Sequence, residues 1–247
     1  MLLDVRNVSR AFGGVQAVDD VSFSIAEGDI VGMIGPNGAG KTTITNLLTG
    51  MVQPDHGEIL LRGESVLGLK PHEICRRGLT KTFQITRPFA GLSATENVMV
   101  AALAAGISLR AARERAREIL RLVGLGHRLE APAEMLSTGQ RKRLEFARSL
   151  GTGAQLVLLD EPFGGVDQRG IPELVEVIRH LREVGTTLVV IDHNLQVVRQ
   201  LSDHIIALHL GRKIAEGDPD EVMDSEAVAE AHMGRSDLLP MDVTPDD

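Results

Sequence analysis

Gly35-Pro-Asn-Gly-Ala-Gly40-Lys41-Thr42 is the stretch whose residue types and spacing carry the most specific chemistry. It fits the pattern G-x-x-x-x-G-K-[ST]. Glycines there let the backbone wrap close to phosphate, so that successive N–H groups point inward. A helix beginning at this point turns its positive end toward the same anion. Lys41 adds a point charge at the outer phosphates, and Thr42 supplies a hydroxyl for Mg2+. By composition, the pattern arises by chance in about one chain in a hundred of this length. Asn37, Gly38, Ala39, Gly40, Lys41, Thr42 and Thr43 are therefore the candidate nucleotide-binding residues.

A second chemical feature is Leu156-Val-Leu-Leu-Asp160-Glu161. Four apolar residues read as a buried strand, and an acid at its end can reach a phosphate-bound Mg2+ through water. The adjacent Glu161 is then placed to polarise an attacking water. Alone, an apolar strand ending in two acids is common. Beside a phosphate loop it points to nucleotide hydrolysis.

These groups need elements to hold them. Residues 2–34 read as strands, with Val21 to Ile25 alternating at period two and Ile30 to Ile34 mostly apolar. A helix is expected from Thr43 to Thr49, closed by Gly50. Glu58 to Leu61 reads as a strand, and Pro71 to Arg77 as a short helix with proline in its first turn. Ser93-Ala-Thr-Glu96 has capping-box spacing and opens a helix from about Ala94 to Ala105. Leu109 to Val123 is a further helix, with Leu109, Ala112, Ala116, Ile119, Leu120 and Val123 expected on its buried face. Its other face carries five arginines. That face reads as solvated, with Glu114 and Glu118 as helical partners, and as a surface for anionic lipid headgroups in a second reading.

Beyond Leu136 the pattern is α/β. Helices are expected from about Gly139 to Ser149 and from about Pro172 to Val184. They alternate with apolar runs at Leu156 to Leu159 and Leu188 to Ile191. Apolar runs alternating with helices indicate parallel strands buried on both faces. His204 to Leu210 and Arg212 to Ala215 read as a last pair of strands. The acidic end, 235–247, contains Pro240 and Pro245 and is expected to be a poorly ordered tail.

The 247 residues suffice for a real core without disulfides or structural metal. The single cysteine, Cys75, excludes an internal disulfide and a cysteine-based zinc site. The net charge of −8 and 2% aromatic content argue against a nucleic-acid partner. Asp4 and Arg6 interrupt the start before any apolar signal core, so no secretory leader is expected. Val98 to Leu109, the longest apolar stretch, falls short of the ~20 residues a membrane span needs.

Leu136-Ser-Thr-Gly-Gln140 stands just before a helix, 20 residues ahead of the Leu156 strand. It resembles the signature motif of the ATP-binding cassette ATPases, and the other motifs of that family follow in order over about residues 2 to 234. The resemblance implies an α/β fold: a P-loop NTPase core of RecA-like type with an antiparallel β subdomain and an inserted α-helical subdomain at about 85–150. It implies one ATPase domain over 1–234. Phe12 matches the adenine-stacking aromatic, and Gln84, after Lys81-Thr-Phe83, the glutamine that senses Mg2+. Asp167 matches the D-loop aspartate, and His193 the switch histidine at the γ-phosphate. Glu161 and His193 are then the catalytic candidates. Thr42, Gln84 and Asp160 are the metal candidates, and Ser137, Gly139 and Gln140 complete a nucleotide site from an opposing cassette. Thr138 stands where the commonest signature has glycine, and Phe12 where tyrosine is more frequent.

The cofactors implied are ATP and Mg2+. The partners implied are an identical or related ATPase, integral membrane permease subunits and, indirectly, a periplasmic substrate-binding protein. The implied location is peripheral, at the cytoplasmic face of a bacterial inner membrane. Phe12-Gly-Gly-Val-Gln-Ala-Val18, Lys81-Thr-Phe-Gln84, Gln140-Arg-Lys-Arg-Leu-Glu145 and Ala231-His-Met-Gly234 resemble importers of branched-chain amino acids and other small hydrophobic or amide substrates. An exporter of lipid or lipopolysaccharide and a soluble cassette ATPase are the alternative readings.

Overall fold

Strands that are apolar at every position must be covered on both faces, and here they are. The computed structural model describes residues 1–82 and 88–233. A four-stranded antiparallel sheet contains β1 (Leu3–Phe12), β2 (Val15–Ile25), β4 (His56–Leu61) and β5 (Glu64–Ser65), in the order β2-β1-β4-β5. The central sheet contains β3 (Ile30–Ile34), β6 (Leu79–Lys81), β7 (Leu156–Asp160), β8 (Thr187–Ile191), β9 (His204–His209) and β10 (Arg212–Gly217). Its order is β10-β9-β3-β8-β7-β6, and every pairing is parallel except that of β10 with β9.

Side chains of the central strands divide by parity between two cores. Ile30, Ile34, Val157, Leu159, Leu188 and Val190 face the helical side. Val31, Met33, Leu156, Leu158, Val189 and Ile191 face the antiparallel sheet and α1 (Lys41–Leu48). The short α2 (Pro71–Arg76) adds Ile74 to this second core. The first core is closed by α3 (Ala94–Ala104), α4 (Leu109–Leu122), α5 (Thr138–Gly151), α6 (Gly170–Glu183) and α7 (Leu195–Leu201). Two short helices, α8 (Pro219–Met223) and α9 (Glu226–Met233), end the described chain. The expected tail over 235–247 lies outside it.

Three expectations change. Leu109 is 66% exposed, although Ala112, Ala116, Ile119, Leu120 and Val123 of the same stripe are buried. It opens α4, and its side chain leans back beyond the helix end, past anything that could cover it. The helix after the phosphate loop starts at Lys41, which puts Lys41 and Thr42 in its first turn. The three-residue β6 and the helices after β8 have too little periodicity to be read from sequence. On the arginine-rich face, Arg110 meets Glu114 at 3.4 Å, whereas Arg117 reaches Glu130 at 2.9 Å instead of a helical neighbour.

Candidate functional site

The phosphate loop spans the end of β3 and the start of α1. Gly35 and Gly40 have φ of 147° and 103°. A Cβ at Gly35 would lie 2.2 Å from the Leu208 carbonyl oxygen, and one at Gly40 would lie 2.6 Å from that of Ala17. Neither contact is possible, so both positions demand glycine on conformation and on space. Among the described residues, no side chain caps α1. The first N–H groups of the helix are left for a ligand. The Lys41 ammonium folds over the loop and donates to the carbonyls of Gly35 at 2.5 Å and Pro36 at 3.0 Å. Burial lowers its pKa, while the Glu161 and Asp160 carboxylates pull it back up.

A cleft of about 900 Å³ opens on this loop. It gathers Asn37, Gly38, Ala39, Gly40, Lys41, Thr42, Thr43, Asp160, Glu161 and His193 from three separate stretches of the chain. Val15, Gln16 and Ala17 form another part of its wall. Phe12 is not among the lining residues; its ring is 44% exposed and lies 4.8 Å from the Arg10 guanidinium carbon. Gln84 lies outside the described residues.

Asp160 ends β7, half-buried, with its N–H bonded to the buried Thr82 hydroxyl at 3.0 Å. Burial raises its pKa. The Lys81 charge opposes that shift, Glu161 adds to it, and Lys142 and Lys41 oppose it more weakly. Lys81 donates to Asn46 at 2.7 Å, which holds a second ammonium beside the loop. Among the described residues, no group of three or more His, Cys, Asp or Glu side chains could hold a metal ion by itself. The hard oxygens of Thr42 and Asp160 fit a cation that arrives with phosphates and keeps most of its own waters, as Mg2+ does.

Glu161 has φ of 49°, a left-handed backbone that is rare for a non-glycine residue. Such conformers cost about 1–3 kcal/mol and persist where surroundings enforce them. Here the enforcement is explicit. The Glu161 N–H donates to the Ile191 carbonyl at 2.8 Å. Its carbonyl accepts from Gly164 N–H at 3.1 Å and from the Lys142 ammonium at 3.0 Å. Two residues on, the Phe163 N–H donates to the Asp192 carboxylate at 3.2 Å. That carboxylate, buried, also accepts from Asn194 N–H at 2.9 Å. One buried acid thus holds both the Glu161 turn and the loop of His193. The His193 ring is exposed into the cleft, with Nδ1 3.6 Å from Asp192, beyond hydrogen-bond length.

Ser137, Gly139, Gln140 and Asp167 are brought together elsewhere. With Thr138, Gly165 and His127 they line a second cleft of about 590 Å³ that shares no residue with the first. Ser137 caps α5, accepting from Gln140 N–H at 3.3 Å, and the Gln140 side-chain oxygen accepts in turn from Ser137 N–H at 3.1 Å. Thr138 is the first helical residue and exposed, so a side chain there costs nothing in space. Asp167 caps its own turn by accepting from Gly170 N–H at 2.8 Å.

Sequence reading did not single out Lys81, Thr82, Lys142 or Asp192 as contributors. In sequence, Lys142 is one cation in the run Arg141-Lys-Arg143, and only its burial sets it apart.

Residues 18–164 match the ABC transporter family. The chain is 38% identical to the high-affinity branched-chain amino acid transport ATP-binding protein BraF of Pseudomonas aeruginosa, covering 95% of this chain and 98% of that one. It is 34% identical to the lipopolysaccharide export system ATP-binding protein LptB of Escherichia coli, covering 94% and 97%. Among solved structures, an ATP-binding cassette of an ABC transporter in its ADP conformation superposes with a TM-score of 0.86 at 30% identity, covering 94% of this chain and 98% of that one. A dimeric cassette bound to ADP and Pi matches with a TM-score of 0.75 at 27% identity, covering 88% and 99%. The chain belongs to the ABC transporter family and is an ATP-hydrolysing cassette of the P-loop α/β fold.

Proposed function

We propose that the chain energises a bacterial importer of branched-chain or other small hydrophobic amino acids or amides. In this reading it works as a head-to-tail dimer with an identical or related ATPase, against membrane permease subunits. The observation that carries the importer reading is the likeness to BraF over nearly the full length of both chains. The likeness to LptB keeps lipid or lipopolysaccharide export as the second reading. Among the described residues, no helix is long and apolar enough to cross a membrane, so membrane attachment falls to the partners. The single domain over 1–234, with its helical part at about 85–150, is proposed to meet the permease near Gln84. Phe89, 46% exposed beside the Arg148 guanidinium, belongs to that surface.

The separation of the two clefts supports the dimer. Phosphate-loop, acid and histidine groups line one, and signature groups line the other, so one chain alone holds two half-sites. Lys41 and the N–H groups of α1 hold the phosphates from one side, and the partner subunit's Ser137 and Gly139 would close them from the other. Phe12, paired across the hairpin with Val15 of the cleft wall, would offer an aromatic face to adenine. Thr42 and Asp160, with Gln84, would hold Mg2+, which supplies charge neutralisation at the phosphates. Glu161 orients and deprotonates the attacking water, and His193 donates toward the γ-phosphate. Asp167 and Gln140 shape the facing side of the interface.

Protonation of Asp160 removes its negative charge and turns one of its two oxygens into a donor, which weakens its hold on Mg2+ waters. Its raised pKa means that protonation begins at a higher pH than for an exposed aspartate. The Mg2+-dependent gain in ATP affinity should therefore fall on acidification before the ordinary carboxylate range is reached. Asp160→Asn should have a smaller gain with no such pH step. Titrating ATP affinity with and without Mg2+ in both proteins checks this, and identical pH profiles would refute it.

The transport reading is tested by gentle detergent extraction of the tagged chain from its native membrane and identification of what co-purifies. Permease subunits with an amino-acid or amide binding protein are expected. Lipid-export subunits would favour the second reading, and an entirely soluble partner set would overturn both.

A further inference from the structure

Lys142 lies five residues beyond Ser137 on α5 and is only 5% exposed. Burying an ammonium is costly unless it is bonded, so such lysines are rare and need a partner. The partner here is a main-chain atom, the carbonyl oxygen of Glu161 at 3.0 Å. The Gly164 N–H takes the same oxygen at 3.1 Å, so both of its lone pairs are used. Turning the Glu161 peptide toward an ordinary backbone conformation would carry that carbonyl away from both donors. The ammonium therefore helps to hold the left-handed conformer from which the Glu161 side chain reaches the first cleft. The same helix presents Ser137, Gly139 and Gln140 to the second cleft. One rigid element thus touches a signature half-site at its tip and the Glu161 turn one step along its length.

We infer that Lys142 is a positioning residue: its bond to the Glu161 carbonyl ties the signature turn of α5 to the aim of Glu161 in the same chain. A displacement of α5 when its tip engages nucleotide is then passed to the water-activating carboxylate of the other cleft. This inference rests on the reading of Glu161 as the general base.

The test is a double-mutant cycle on steady-state and single-turnover ATP hydrolysis. Lys142→Met keeps the apolar stem and removes the ammonium. It should lower kcat about 10- to 100-fold, the scale of a misaimed reacting group, with KM for ATP within about twofold. Lys142→Arg keeps a donor and should restore most of kcat. In a Glu161→Gln background, where there is no base left to aim, Lys142→Met should slow residual turnover by less than about twofold. A role limited to stability would instead lower the rate by the same factor in both backgrounds. That result, an unchanged kcat in Lys142→Met, or a Lys142→Arg variant as slow as Lys142→Met would overturn the inference. Lys142→Gln, whose shorter side chain stops short of the carbonyl, carries the same test if Lys142→Met does not fold. The two readings fail separately. Rapid turnover by Glu161→Gln alone removes the base assignment. Slow turnover by Glu161→Gln with equal losses in the cycle removes only Lys142.

Discussion

Glu161→Gln is expected to bind ATP normally, to form a stable ATP-held dimer and to hydrolyse at least about 100-fold more slowly than the parent, the scale of a lost general base. Glutamine matches glutamate in size and makes none of its backbone bonds differently. The Glu161 N–H to Ile191 and the carbonyl bonds from Gly164 and Lys142 survive the change. The left-handed turn is therefore retained, and with it the cleft. What is lost is an anionic oxygen able to take a proton from water. Binding should be spared because the phosphate contacts are proposed to come from Lys41 and the loop rather than from Glu161. Loss of a negative charge beside incoming phosphate even favours it. Phosphate release at saturating MgATP and size-exclusion with ATP measure the two halves. Near-parental turnover would remove Glu161 as the base, and slow turnover without an ATP-held dimer would argue against the head-to-tail site.

What was legible in the sequence was local. The phosphate loop is a backbone device, so its glycines, lysine and helix sit together in eight residues. Leu156 to Asp160 announces a buried strand by having no polar face, and the parity of the two cores explains why. The signature turn is likewise one capping box. What stayed hidden is what distant segments do for one another. Asp192 was visible as the residue before His193, but nothing local says that its carboxylate holds Phe163, 29 positions away. Lys142 stands between two arginines, where a charge run normally means solvent. Its burial and its bond to the Glu161 carbonyl, 19 positions away, are tertiary facts without a periodic trace. Leu109 errs in the other direction: its spacing is right for the stripe, but a helix end has no neighbour to bury it. Local rules read the elements, and the support around Glu161 is visible only once they are packed.

Lys41→Ala should lose ATP affinity by about 100-fold or more while the chain remains folded. The Lys41 ammonium is half-buried and already held over the loop by the Gly35 and Pro36 carbonyls. Little side-chain entropy is left to lose when phosphate arrives, so the charge-assisted bonds are gained at low cost. Hydrogen bonds to charged groups contribute about 1.5–3 kcal/mol each, and ~3 kcal/mol corresponds to roughly a hundredfold in affinity. Burial lowers the pKa of Lys41, but anionic phosphates act in the sense that Glu161 and Asp160 already do, favouring the charged form. The loss should be larger for ATP than for ADP if, as proposed, the lysine serves the outer phosphates. Gly40 keeps the loop open with φ of 103°, independently of the lysine, so the cavity itself should persist. Lys41→Met, which retains the stem, separates packing from charge: it should fold as the parent does and bind as poorly as Lys41→Ala. Calorimetric titration with ATP and ADP, beside thermal unfolding of the nucleotide-free proteins, gives both quantities. Unchanged ATP affinity in a folded Lys41→Ala protein would take the charge out of the phosphate site and leave binding to the backbone alone.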